Sequence, residues 1–287
     1  MDWRELEFVD IDLGGASLPV AFDEFQRAFR LAGDLSIDAF LGTRTDFMSV
    51  GKAAIAATLL PQEQMDKLFP VELNPDNWYG YLAEKLPTDP KLLLESQISF
   101  VTFNYDRSLE QFFLSRLVHK NCMTDQEAAA VVSKLRIVHV YGQLGFLWPE
   151  GGAHVPYGGG SSDAMPGSIG LAAKRLKLIK DSERHGESDE FRLAKQWIHE
   201  AEALCFLGFA FDPTNVQHLG GCEIAAGGRP EGRHISFAAS ALAKTQRERE
   251  EIAQKIALHY HPVDVSKLHG VESLMTLRES LVLDKYW

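Results

Sequence analysis

Five short apolar runs punctuate the chain: ISFVTF (Ile98–Phe103), RIVHV (Arg136–Val140), LKLIK (Leu176–Lys180), LCFLG (Leu204–Gly208) and HISFA (His234–Ala238). Each is too short for a buried helix and too evenly apolar for a strand with one wet face. Each therefore reads as a strand covered on both sides. Helical patterns separate most of them, and a parallel strand pair requires such a crossover. The alternation predicts an α/β fold with a mostly parallel sheet and flanking helices. After ISFVTF, residues Leu109, Phe112, Phe113 and Leu117 recur at helical spacing and predict a helix packed back on that sheet.

Ahead of Ile98 the pattern changes. Ala21–Leu31, Ser36–Phe40, Val50–Leu60 and Trp78–Lys85 read as helices, broken near Gly33, Gly42, Pro61, Pro70 and Pro75. The chain is thus read as one α/β domain over residues 1–287, with 20–95 a mainly helical N-terminal layer. Two polar, glycine-containing stretches read as loops, Tyr157–Gly170 (a candidate cover for a site or a plain surface loop) and Asp181–Glu190. Lys244–Glu251 opens a charged helix with a solvated face.

Composition narrows the function. Lys and Arg total 29 against 40 Asp and Glu, a formal net charge of −11 that disfavours a phosphate-backbone surface. Nucleic acid is not expected as a partner. No apolar run reaches the roughly 20 residues needed to span a bilayer, so no membrane partner is expected either. The acidic start, MDWRELEFVDID, lacks the basic and apolar regions of a signal peptide. Three widely spaced cysteines, Cys122, Cys205 and Cys222, supply neither a disulfide framework nor zinc ligands. No metal site is expected, and a reducing cytoplasm fits best.

In open α/β sheets, ligands bind beyond the carboxyl ends of the strands. Strand Ile98–Phe103 delivers Asn104 and Asp106 to that zone; Arg136–Val140 delivers Tyr141, Gly142 and Gln143. Leu204–Gly208 leads into Phe209, Asp212 and Asn215. Three strand ends thus carry glycines, carboxamides and carboxylates, with Asp106 a plausible helix N-cap. The polar cluster at the sheet edge is the candidate site, against the plainer reading of ordinary caps and turns. His259-x-His261 has no matching ligand set, and no strand leads into a convincing GxGxxG.

VTFNYDRSL resembles the strand–loop motif of the sirtuin-like NAD-binding proteins, in which an Asn and an Asp follow a central strand. IVHVYGQLG resembles that family's His–Gly segment, and FLGFAFDPTN its later glycine-containing strand end. SIDAFLGTRTDFMSVGKAAIAATLL resembles the helical region that bacterial members carry ahead of the Asn motif. The resemblance spans roughly Phe22 to Ala239 and implies a Rossmann-like sheet with NAD, or a related nucleotide, as substrate or ligand. Many bacterial members are NAD glycohydrolases used in defence against phage, whereas the deacylase branch usually carries a four-cysteine zinc module that three cysteines cannot build.

The resemblance implies that Asn104 lies at the nicotinamide ribose, that Asp106 holds the loop or the nicotinamide pocket, and that Gly208 and Phe209 line the cofactor. Thr102, Gly142, Asp212 and Asn215 complete the expected cofactor-binding set; Asn104, Tyr141 and His139 form the catalytic one. Two departures stand out. Tyr141 occupies the place of the family's catalytic His, and a phenol with a pKa of about 10 is a poor base at neutral pH. His139 lies two residues earlier on the same strand face, about 6–7 Å further from the mouth. The LGGAS stretch, Leu13–Ser17, has the composition of the family's glycine loop but follows the polar FVDID. The expectation taken here is that the chain begins after the true loop. The functional expectation is a weak NAD glycohydrolase of bacterial defence. The alternative is a catalytically degenerate module of the same fold that binds a nucleotide, a protein partner or a second copy of itself.

Overall fold

The computed structural model describes residues 18–34, 36–72, 77–149, 152, 154–178, 188–219, 236–240, 244–257, 268–269, 273–280 and 283. It is a mixed α/β structure whose chain divides into two compact units, residues 1–72 with 101–188 and residues 73–100 with 189–287. The LGGAS stretch lies outside the described residues.

In the first unit three helices form the N-terminal layer: α1 (Leu18–Ala32), α2 (Ile37–Thr43) and α3 (Met48–Leu59). The α1 sequence places Ala21, Phe22, Phe25, Ala28 and Phe29 on one stripe, and that stripe enters the core. Phe25 is its hub, with the rings of Phe22, Phe29, Phe40 and Phe47 all within 6.2 Å. Helix α3 is mostly apolar and mostly buried: Val50, Gly51 and Ala53 through Ala57 are all covered. Its small residues permit close approach, and a Cβ on Gly51 would stand 2.6 Å from the Leu41 side chain. Pro61 ends this layer in a 3₁₀ turn, Leu60–Gln62.

The chain returns through β1 (Phe100–Thr102), α7 (Ser108–Asn121), α8 (Asp125–Val132) and β2 (Ile137–His139); of the helices ahead of β1, α4 (Met65–Leu68) belongs to the first unit, and α5 (Trp78–Lys85) and α6 (Pro90–Glu95) belong to the second. Strands β1 and β2 pair, and their extensions stay side by side: Val140 N–H donates to Thr102 O and Leu144 N–H to Tyr105 O, each at 3.0 Å. Asp106 caps α7 from just outside, its Oδ1 accepting from the Ser108 N–H at 3.1 Å. The buried α7 face carries Phe112, Phe113 and Leu117 as the periodicity predicts.

Two expectations for the first unit need correction. Leu176–Leu178 is not a strand. Leu176 and Leu178 are buried on either side of the half-buried Lys177, which mimics strand periodicity. It bonds to the β2 chain through Lys177 N–H to Tyr141 O at 2.8 Å and the Tyr105 hydroxyl caps Lys177 O, yet it joins neither described sheet. Residues 179–180 lie outside the description. The stretch Tyr157–Gly170 is not a single loop either. A tight turn at Tyr157–Gly159 leads into α9 (Met165–Arg175), and the Ser168 hydroxyl ties the two by donating to Gly159 O at 2.8 Å.

In the second unit α10 (Asp189–Glu200) buries Phe191, Ala194 and Ile198 and leads into β3 (Ala203–Phe206). Strands β3, β4 (Ser236–Ser240) and β5 (Leu268–His269) form a parallel sheet in that order, with Ala203 opposite Ser236 and Ala239 opposite Leu268. β4 takes up Ser236–Ala238 of the HISFA run, whose His234 and Ile235 lie outside the described residues, and β5 has no counterpart among the five runs. The five runs do not form one sheet among the described residues; the strands fall into a pair and a set of three. Downstream, α11 (Pro213–His218), α12 (Gln246–Ala257) and α13 (Ser273–Ser280) complete the described helices. The solvated face expected of α12 carries the Arg247–Glu251 pair.

Candidate functional site

The loop between β1 and α7, Phe103–Arg107, is anchored at both ends by hydrogen bonds. Asn104 is exposed at its crest, and its N–H donates to Thr102 Oγ1 at 3.1 Å. Beneath it lies His139, only 7% exposed, whose Nδ1 is 2.8 Å from Asn104 O. A carbonyl only accepts, so Nδ1 carries the proton. Nε2 then faces Glu110 Oε1 at 2.7 Å, with one proton between them. Burial works against charge on His139, but Glu110, the Asn104 carbonyl and Asp106 outweigh it and raise the imidazole pKa above its usual 6.5.

At the other end of the loop stands Arg107, 1% exposed and fully engaged. Its Nε and one terminal nitrogen fork onto the two oxygens of buried Glu63, and the guanidinium also donates to the Val155, Pro156 and, at 3.5 Å, Gly145 carbonyls. Glu63 accepts in addition from the backbone N–H groups of Arg107 at 2.8 Å and Gly158 at 3.2 Å. Next to this knot the Tyr157 hydroxyl is 3.0 Å from Ser108 Oγ. Burial pushes the Tyr157 phenol upward, and the Glu63 and Asp106 carboxylates add to that against opposing effects of Ser108 and Arg107. The phenol is therefore neutral at physiological pH.

The structure brings Thr102, Asn104, Asp106, His139, Tyr141 and Gly142 onto the paired ends of β1 and β2. They are not equally presented. Asn104 meets solvent and Asp106 is half-buried, whereas Tyr141 is only 5% exposed with its ring 5.6 Å from that of Phe103, edge to face. Gly142 makes a close approach to backbone: at φ +76°, a Cβ there would lie 2.2 Å from Arg175 O. Gly142→Ala is expected to cost on the order of 1–3 kcal/mol through the left-handed backbone alone, with the Arg175 clash added. Chemical denaturation of the two proteins checks this.

The remaining candidates lie in the second unit. Gly208 sits at φ +62° and donates its N–H to Ser240 Oγ at 2.7 Å. Phe209 packs its ring 5.5 Å from Phe206 and 5.0 Å from Phe211. Asp212 Oδ1 accepts from the Asn215 N–H at 3.3 Å, which makes Asp212 the cap of α11. The buried, positive-φ residue here is Phe211, at +55°.

Sequence reasoning did not select Glu63, Arg107, Ser108, Glu110 or Tyr157. Glu110 had a readable signal, since it falls on the α7 stripe with Phe113 and Leu117 at i+3 and i+7, a carboxylate where the pattern asks for an apolar group. Among the described residues no cluster of three or more His, Cys, Asp or Glu could hold a metal ion, and no helix is long and apolar enough to cross a membrane. Comparison with protein-family models, curated proteins and solved structures finds no match.

Proposed function

We propose that this chain is a sirtuin-like NAD-binding protein, built on a Rossmann-like sheet, that slowly hydrolyses the nicotinamide–ribose bond of NAD in bacterial defence. The observation that carries the reading is the placement of Asn104: exposed at the paired strand ends, with its backbone held by Thr102 on one side and His139 on the other. In the reaction nicotinamide leaves with the bonding electron pair, which neutralises its ring and leaves an oxocarbenium-like ribose. Water then forms the new bond at the anomeric carbon and loses its proton to solvent. Such a reaction needs a positioned water and a polar surround more than a strong base. The Asn104 carboxamide positions water without titrating, and the Asp106 carboxylate, two residues on in the same loop, supplies negative charge to the developing cation in this reading. Tyr141 is buried, and a phenol, ordinarily protonated at neutral pH, has no basic site to take the proton; this accounts for a slow rate, since a missing base costs roughly 10²–10⁴-fold.

One observation favours a second reading. Tyr141 is packed against Phe103 rather than offered to a ligand, as expected of a degenerate member that keeps the fold to bind a nucleotide or a protein. Incubating the purified protein with millimolar NAD and measuring free nicotinamide distinguishes the two. Release in molar excess over protein is expected. Saturable NAD binding without release supports the degenerate reading, and neither binding nor release removes NAD from the account. Tyr141→His is expected to leave the release rate near wild type while costing about 1–3 kcal/mol of stability, because it buries an imidazole where a phenol ring packed. A large rise in release would show instead that ligand reaches this position.

A further inference from the structure

Glu110 is a buried carboxylate that makes sense neither as packing nor as a complete hydrogen-bonding partner. It is 8% exposed on α7, its Oε1 meets His139 Nε2 at 2.7 Å, and its Oε2 is buried with no hydrogen-bond partner among the described residues. Burying a carboxylate is costly, and a residue kept there only for shape is better served by an amide or an apolar group. What an anion supplies that those groups do not is charge, and the side chain that receives it is His139.

We propose that Glu110 is a positioning residue: it holds His139 as an imidazolium, whose charge-assisted Nδ1–H bond to the Asn104 carbonyl fixes the ligand-facing loop. The proposal rests on reading Asn104 as the ligand-facing group. The chain of contacts is short and complete, from Glu110 Oε1 through Nε2 and Nδ1 to Asn104 O. A hydrogen bond from an ionised donor is roughly twice as strong as one from a neutral donor. The protonated ring therefore clamps the backbone of Asn104 where a neutral ring would hold it loosely. The charged groups that face His139 are Glu110 from α7 and Asp106 from the loop ahead of it; both act to keep the ring protonated, against its burial. The consequence for the site is that its crest is rigid while the imidazolium persists and loosens as that proton is lost at higher pH.

Glu110→Gln tests this, because glutamine has the same shape, still reaches Nε2 and lacks only the charge. In ¹⁵N-histidine spectra the wild-type ring is expected as a doubly protonated imidazolium at pH 7, titrating above the ordinary range. In Glu110→Gln it is expected as a neutral Nδ1–H ring at the same pH. Hydrogen exchange over residues 102–109 at pH 7 is expected to quicken in the variant. Nicotinamide release is expected to fall about tenfold in kcat with KM for NAD nearly unchanged, taking as the scale the lower end of what losing the partner behind a metal-bound histidine costs. A variant whose His139 signals and loop exchange match wild type would overturn the proposal. If wild type releases no nicotinamide, the hydrolase reading fails, while the spectra and exchange still decide the role of Glu110. Should Glu110→Gln not fold, the titration of wild-type His139 decides alone: a ring that is neutral at pH 7 overturns the clamp.

Discussion

Arg107→Met is expected to destabilise the first unit by about 3–5 kcal/mol, the range for breaking one side of a buried ion pair. Every guanidinium N–H has an acceptor, two of them the oxygens of Glu63 and the rest backbone carbonyls of residues 145, 155 and 156. Methionine fills much of the volume but leaves the Glu63 carboxylate, 4% exposed, with two backbone N–H donors and no countercharge. Arg107→Lys should rescue little, because an ammonium does not reproduce the planar fork that meets both oxygens. Glu63→Gln in the Arg107→Met background should recover part of the loss by removing the stranded charge. Two units make a single unfolding transition unsafe to assume, so the measurement is the opening free energy from hydrogen exchange across 102–121. A loss below about 1 kcal/mol would mean that the knot does not hold the loop.

The same residues show what was legible in the chain and what was not. Local patterns were readable. The helical readings of Ala21–Leu31 and Val50–Leu60 and the runs ISFVTF, RIVHV and LCFLG each gave an element close to its observed place, because the elements are set by periodicity over neighbouring residues. LKLIK misled because alternate burial satisfies a strand pattern without a ladder. The two-residue β5 was invisible because a strand that short carries no period. For the candidate site, Asn104 and Asp106 could be found from a motif at one strand end, but their supports could not. Glu63 lies 44 positions from Arg107, and Glu110 lies 29 from His139. Which distant charges meet is decided by the packed fold, and no sequence spacing announces it. The burial of Tyr141 was likewise undetermined, since residues two apart on a strand share a face whether that face is wet or packed.

Asn104→Ala is expected to lower nicotinamide release by roughly 10²–10³-fold, the cost of removing one preorganised polar group from a reacting centre. Its effect on stability should be small, because the side chain is exposed and both of its backbone partners, Thr102 Oγ1 and His139 Nδ1, engage main-chain atoms that alanine retains. The loop therefore keeps its course and only the carboxamide is lost, which separates chemistry from folding more cleanly than at Asp106, where the carboxylate also caps α7. If the carboxamide orients the attacking water, the loss falls on kcat and NAD still binds; if it mainly grips the ribose, KM rises instead. Asn104→Asp sharpens the distinction. A carboxylate accepts from water and attracts an oxocarbenium-like cation but cannot donate an N–H, so activity retained in Asp and lost in Ala assigns the group as an acceptor. Initial rates of nicotinamide release at several NAD concentrations, alongside thermal unfolding, provide the test. Release indifferent to Asn104 in a folded protein would place the reacting centre elsewhere.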